Sequence, residues 1–275
     1  MTEPDRERRE QLARALAPVA RQTRRLGLDW LLIGAAGRDL LLAENRCAAA
    51  ARATHDVDIA VCVPSWEEFL KLKAALVDNE GARADAHAPQ RLHQGDRLPL
   101  DLIPFGDIAA DGKLCWPPDG DLTLNVGGLL EAHACFRTIA LTEDLSVRIP
   151  SLEMFLCLKL FAWRDRHTHK PHHDSADLRE FLLSADELIP LDELYDRYAP
   201  AMERNDFDAG RACFEVLGDR LRNALRANTA AEVARILAEQ LDEGGAPKLL
   251  LELGDGCDAL ARLRAFQRGL GGATD

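Results

Sequence analysis

Asp56 and Asp58 stand two apart in the stretch Asp56-Val57-Asp58-Ile59-Ala60-Val61-Cys62-Val63. Val57, Ile59, Val61 and Val63 alternate with the other residues, which predicts a strand over 56–63. Alternation puts both carboxylates on one face of that strand. Two carboxylates side by side repel each other unless a cation sits between them. A hard divalent cation with oxygen ligands, Mg²⁺ above all, suits such a pair. Asp101 lies among Leu100, Leu102 and Ile103 in a second predicted strand, Leu98–Phe105. A third carboxylate on a neighbouring strand would complete a two-metal clamp for phosphoryl transfer. An isolated pair of this kind equally fits a solvated sheet face, so its surroundings matter. Upstream, the apolar run Trp30–Ile33 ends in Gly34-Ala35-Ala36-Gly37. A glycine turn leading into a helix can present backbone N–H groups to phosphate; the same glycines also serve in plain turns.

The elements that must position these residues follow from periodicity and punctuation. Residues 4–26 read as an amphipathic helix closed by Gly27. Trp30–Ile33 reads as a buried strand, 36–43 as a short helix, and Ala48–Ala53 as a linker. Pro64 and Ser65 stop the Asp56 strand, and Ser65 caps a helix running to about Val77. The prolines of Leu98–Phe105 point to an edge strand or a short ladder. Weaker strands are expected near 136–141 and 145–149. Beyond Ser151 almost everything reads helical: 151–164, 174–184, 191–198, 206–224, 229–242 and 257–268. The expectation is an α/β (α+β) domain with a mixed sheet at 1–150, followed by a helical domain at 151–275.

The chain has 275 residues, is 47% hydrophobic and carries a formal net charge of −12. That length can bury a real core, and the charge disfavours a non-specific nucleic-acid coat. Two stretches are locally positive. One is the N-terminal helix, with Arg6, Arg8, Arg9, Arg14, Arg21, Arg24 and Arg25; the other runs from Lys159 to Lys170. The seven cysteines lack CxxC spacing, which predicts buried reduced thiols in a cytoplasmic protein. A charged N-terminus without an apolar core predicts no signal peptide, and no apolar run reaches the ~18 residues of a membrane span.

The stretch Leu32-Ile33-Gly34-Ala35-Ala36-Gly37-Arg38-Asp39-Leu40, followed by Arg52-Ala53-Thr54-His55-Asp56-Val57-Asp58-Ile59, resembles the nucleotidyltransferase superfamily that shares the DNA polymerase beta palm. In particular it resembles the toxin subunit of AbiE abortive-infection systems and the related MenT toxins. Arg52, Thr54, Asp56 and Asp58 match that family's R-x-T-x-D-x-D stretch, whereas Ala35 and Ala36 replace a Gly and a frequent Ser in its turn. The family's downstream signature, K-x-x-A-x-x-x-R and D-x-x-D, is similar to Lys159-Leu-Phe-Ala162-Trp-Arg-Asp-Arg166 and Asp174-Ser-Ala-Asp177.

The resemblance implies transfer of a nucleoside monophosphate from NTP to an acceptor hydroxyl, with Mg²⁺ held by Asp56, Asp58 and Asp101. It implies that Gly34, Ala35, Ala36 and Arg38 bind the phosphates, that Lys159 neutralises their charge, and that Arg166, Asp174 and Asp177 complete the nucleotide site. A tRNA 3′ end as acceptor and a cognate antitoxin as partner follow from the toxin resemblance. Other readings stay open: a small-molecule nucleotidyltransferase of the antibiotic-resistance kind, a protein nucleotidylase, or a catalytically silent interaction module. Lys159 and Arg166 also fit ordinary ion pairs with Asp174 and Asp177. His167, His169, His172 and His173 match no standard metal spacing and read as an exposed polar loop.

Overall fold

Alternation in the Asp56 strand has a direct consequence: one side of the sheet is hydrocarbon, while the other carries Asp58 and Asp101 at one end and the apolar Ala60, Ile103 and Phe105 beyond them. The computed structural model describes residues 3–45, 56–109, 112–116, 123–242, 244–245 and 247–272. Arg52, Thr54 and the linker expected at Ala48–Ala53 lie outside these residues. The chain divides into two compact units, one of 1–38 with 52–150, the other of 39–51 with 151–275.

In the first unit the elements are α1 (Glu3–Leu26), β1 (Asp29–Leu32), the start of α2 (Gly34–Glu44), β2 (Val57–Cys62), α3 (Trp66–Glu80), β3 (Arg83–Ala84), β4 (Arg91–Gln94) and β5 (Arg97–Phe105). They are followed by β6 (Lys113–Cys115), β7 (Thr123–Asn125), α4 (Leu129–Ala134), β8 (Phe136–Ala140) and β9 (Ser146–Pro150). Five strands form a mixed sheet in the order β1-β2-β5-β4-β3, with β2 and β5 parallel and the other neighbours antiparallel. Strands β6–β7 and β8–β9 are separate antiparallel hairpins.

Val57, Ile59, Val61, Leu92, Leu100 and Leu102 are buried, and their registers place them on one face. Helix α1 packs on α3 and β5 and brings Leu12, Leu16 and Val19 into the core. Gln94 Nε2 donates to Ala15 O at 3.2 Å, tying β4 to α1 from inside. Ser65 caps α3 as expected, accepting from the Glu68 N–H at 3.3 Å.

The edge assignment for Leu98–Phe105 is corrected: β5 is interior, between β2 and β4. Both prolines sit where a missing donor costs no ladder bond. The Leu102 N–H reaches Gln90 O on the β4 side, so by alternation Pro104 would donate towards that side, past the end of β4. Pro99 would donate towards β2, one residue before the first paired position, Val57↔Leu100. Proline is tolerated at such places.

The second unit is helical: α5 (Leu152–Arg166), α6 (His173–Leu183), α7 (Leu191–Arg197), α8 (Ala199–Arg204), α9 (Ala209–Ala224), α10 (Ala227–Leu241), α11 (Lys248–Leu253) and α12 (Ala259–Gly271). Helices α9 and α12 cross closely because Gly218 and Gly269 carry no side chain there. A Cβ on Gly218 would stand 2.1 Å from Phe266 O, and one on Gly269 2.0 Å from Glu215 O. The six described cysteines are all free; Cys157, Cys213 and Cys257 are buried, while Cys115 is exposed, against the expectation of burial. Among the described residues no helix is long and apolar enough to cross a membrane.

Candidate active site

The parallel register pairs Asp58 with Asp101, and the antiparallel register pairs Asp101 with Arg91. Cross-strand partners share a sheet face, so Asp58, Asp101 and Arg91 form a polar row across β2, β5 and β4. Asp56 is two residues before Asp58, at the mouth of β2, and joins the row through Arg91. The guanidinium donates from Nε to Asp101 Oδ1 at 2.7 Å and from Nη2 to Asp101 Oδ2 at 2.8 Å. The same Nη2 donates to Asp56 Oδ2 at 2.6 Å. Bidentate, charge-assisted contacts of this kind are the strong class of hydrogen bond. The side chain of Asp101 is 12% exposed, that of Arg91 31% and that of Asp56 39%. The bond to Asp101 leads in pushing the Arg91 pKa above its ordinary value, against an opposing pull from burial.

Asp58 is placed by the start of α2. Ile33 N–H donates to Asp58 O at 2.9 Å, and Gly34 then turns with φ +67°. A Cβ on Gly34 would lie 2.0 Å from Asp58 Oδ2, so the carboxylate rests on the glycine backbone. Helix α2 begins there, and the first N–H groups of a helix lack carbonyl partners within it. Gly34, Ala35 and Ala36 therefore set donors and the positive end of a helix dipole beside Asp58. Ala36 and Arg38 are buried, Arg38 to 1% exposure, which makes it an interior side chain of the helix's first turns.

No family model matches the chain, and no curated protein matches it. Among solved structures it is similar to the solution structure of the antibiotic-resistance factor ANT(2'')-Ia, at 16% identity and a TM-score of 0.40, over 71% of this chain and 96% of that one.

Among the described residues no three carboxylate, imidazole or thiol side chains stand together as a ready metal cage. The chemistry of the donor set nevertheless fits a cation. A single positively charged nitrogen already bridges an oxygen of Asp56 and one of Asp101, with Asp58 the next residue in register. Arg91 was not among the residues singled out from sequence. The one signal in its stretch, Arg91-Leu92-His93-Gln94-Gly95-Asp96-Arg97-Leu98, is the Gly95-Asp96 turn between two short runs, which fits a hairpin. Next to it, His93 Nε2 lies 2.7 Å from Asp85 Oδ2. The Asp85 carboxyl is held well below its usual range, first by that imidazole and then by the N–H groups of His87 and Ala88.

The helical motif residues assemble within the second unit. Lys159 Nζ is in ion contact with Asp177 Oδ2 at 2.5 Å and with Asp174 Oδ1 at 3.4 Å, and all three side chains are under 10% exposed. Arg166 grips Asp174 with two bonds, from Nε to Oδ2 at 3.1 Å and from Nη2 to Oδ1 at 2.6 Å. Burial pushes the Asp174 carboxyl up, but Lys159 and Arg166 together outweigh it and leave its pKa below the ordinary value. Two cations thus face two carboxylates between α5 and α6. His169, His172 and His173 are exposed, and His167 stacks on Trp163 with ring centroids 4.7 Å apart.

Proposed function

We propose that the carboxylate row of the mixed sheet is the active site of a metal-dependent nucleotidyltransferase. The observation that carries this is the pairing of Asp58 with Asp101 in register, with Asp58 seated on Gly34 at the start of a helix. The arrangement brings anionic metal ligands and the N–H donors of a helix start to one place, which is the combination a triphosphate needs.

Asp56, Asp58 and Asp101 would hold the magnesium, which when bound neutralises phosphate charge and makes the acceptor hydroxyl more acidic. The N–H groups of Gly34 to Ala36 orient the β- and γ-phosphates. The acceptor oxygen attacks the α-phosphorus, the bond from that phosphorus to the β-bridging oxygen breaks, and pyrophosphate leaves. Asp101 receives the hydroxyl proton on a carboxylate oxygen. The acceptor we favour is a tRNA 3′ end, with the protein acting in the cytoplasm as a toxin restrained by a cognate antitoxin. Support for an RNA acceptor comes from α1, where the exposed Arg14 and Arg24 line a groove closed by Thr142 and Leu145.

Incubation with each α-labelled NTP, Mg²⁺ and total cellular RNA and protein tests the reading. Label is expected in the RNA fraction and is expected to vanish with Asp58→Asn. Label in protein or in a small molecule would keep the chemistry and replace the acceptor; no incorporation anywhere would end the proposal.

A further inference from the structure

We infer that Arg91 is the resident counter-cation of the carboxylate row and must give up its place when a divalent cation binds there. This rests on the metal-dependent reading of the same site. The guanidinium engages both oxygens of Asp101 and one of Asp56 with three bonds of 2.6–2.8 Å. A divalent ion shared by Asp56 and Asp101 must draw on Asp101 oxygens that Arg91 already holds, and it repels a guanidinium held against them. The two occupants therefore exclude one another. Without metal, Arg91 removes the repulsion that clustered carboxylates would otherwise suffer. Arg91 is also able to move: its side chain is 31% exposed, and it stands near the start of the short β4, next to an outer strand of two residues. Once displaced, its charge stays on the carboxylate-bearing face of the sheet, where Arg91 is the register partner of Asp101. There, the planar fork of donors matches a phosphate oxygen pair. The group that displaces Arg91 would thus hand it on to the triphosphate.

The test uses the full chain and Mn²⁺ alone as probe. Calorimetry or the paramagnetic signal of free Mn²⁺ gives its affinity for wild type and for Arg91→Gln. Arg91→Gln is expected to bind Mn²⁺ at least about tenfold tighter, because strong charge-assisted bonds no longer have to break first. It is also expected to melt earlier than wild type in EDTA and to gain more from added metal. In wild type labelled on arginine nitrogens, the Arg91 Nε–H should exchange slowly in EDTA and rapidly in saturating Mg²⁺. Wild type that binds Mn²⁺ while Arg91→Gln binds it no tighter, or an Arg91 signal unmoved at saturation, overturns the exchange and leaves the metal site standing. Failure of both proteins to bind Mn²⁺ overturns the exchange and the metal-dependent reading together. If Arg91→Gln does not fold, the wild-type Nε–H signal decides alone.

Discussion

Asp56 and Asp101 share the guanidinium of Arg91, and the backbone at Asp58 is held by the Ile33–Asp58 bond beside Gly34. Asp58→Asn keeps the shape of the side chain and removes its charge, so the protein is expected to stay folded, with a loss inside the common range of about 0.5–3 kcal/mol in urea unfolding. Transfer of labelled nucleotide is expected to fall by roughly 10²–10³ or more, the usual size for loss of one electrostatic contact in such a step. The rise in melting temperature with Mg²⁺ and NTP should disappear as well. A variant with normal turnover removes Asp58 from the site. Gly34→Ala is the sharper probe. Its φ of +67° is unfavourable for any side chain, at about 1–2 kcal/mol, and its Cβ would meet Asp58 Oδ2 at 2.0 Å. Urea unfolding should show at least that loss, and transfer should fail because Asp58 must move. Normal activity in Gly34→Ala would show that the position of Asp58 does not matter.

At the level of elements, β2 was legible because Val57, Ile59 and Val61 repeat with period two, and α3 because Ser65 caps it. Strand β4 was not. Its four residues, Arg91–Gln94, are too few for periodicity to stand out, and the site's internal cation went unseen with it. The interior place of β5 was hidden by Pro99 and Pro104, which read as edge signals until the ends of the neighbouring strands are known. In α5 the spacing of Lys159 and Arg166 showed a shared face, while their contact with Asp174 and Asp177 depends on how α6 packs. That pairing makes Lys159→Met a direct test. It takes the Lys159 ammonium away from both Asp174 and Asp177, and should cost about 3–5 kcal/mol, typical of breaking a buried pair from one side. Loss of labelled transfer in a variant that keeps its melting temperature would instead assign Lys159 to phosphate. The same cluster predicts an acid limb. Since the folded pKa of Asp174 lies below its unfolded value, its contribution is complete above the unfolded pKa of about 3.9. That contribution is lost as pH falls through the folded value. Asp174→Asn should therefore lower stability at neutral pH and flatten the decline measured below about pH 4; an unchanged acid limb would exclude Asp174 as its source.

On the scale of the whole molecule, charge decides what kind of acceptor the protein can hold. The net charge of −12 repels a polyanion at long range, so any RNA contact must be confined to a local positive surface. Helix α1 offers one, but part of its charge is already committed. Arg21 lies 2.5 Å from Glu80, Arg6 pairs with Glu10 at 3.1 Å, and Asp144 lines the same groove as Arg14 and Arg24. A surface this confined meets only a few phosphates, roughly two to four. Counterion release then gives a shallow salt dependence, with log Kobs falling by roughly 0.7–0.9 per phosphate contacted for each decade of salt. Binding of labelled tRNA, measured by filter retention between low and moderate KCl, is expected to show a slope between about −1.5 and −3.5 on that basis. Arg14→Glu with Arg24→Glu should weaken it and reduce the slope by about two contacts, while nucleotide binding measured by calorimetry stays unchanged. A slope as steep as that of an extended nucleic-acid binder, or a double variant that binds tRNA like wild type, would take α1 out of the acceptor surface. Unchanged transfer to RNA by that variant would place the RNA contact elsewhere on the protein.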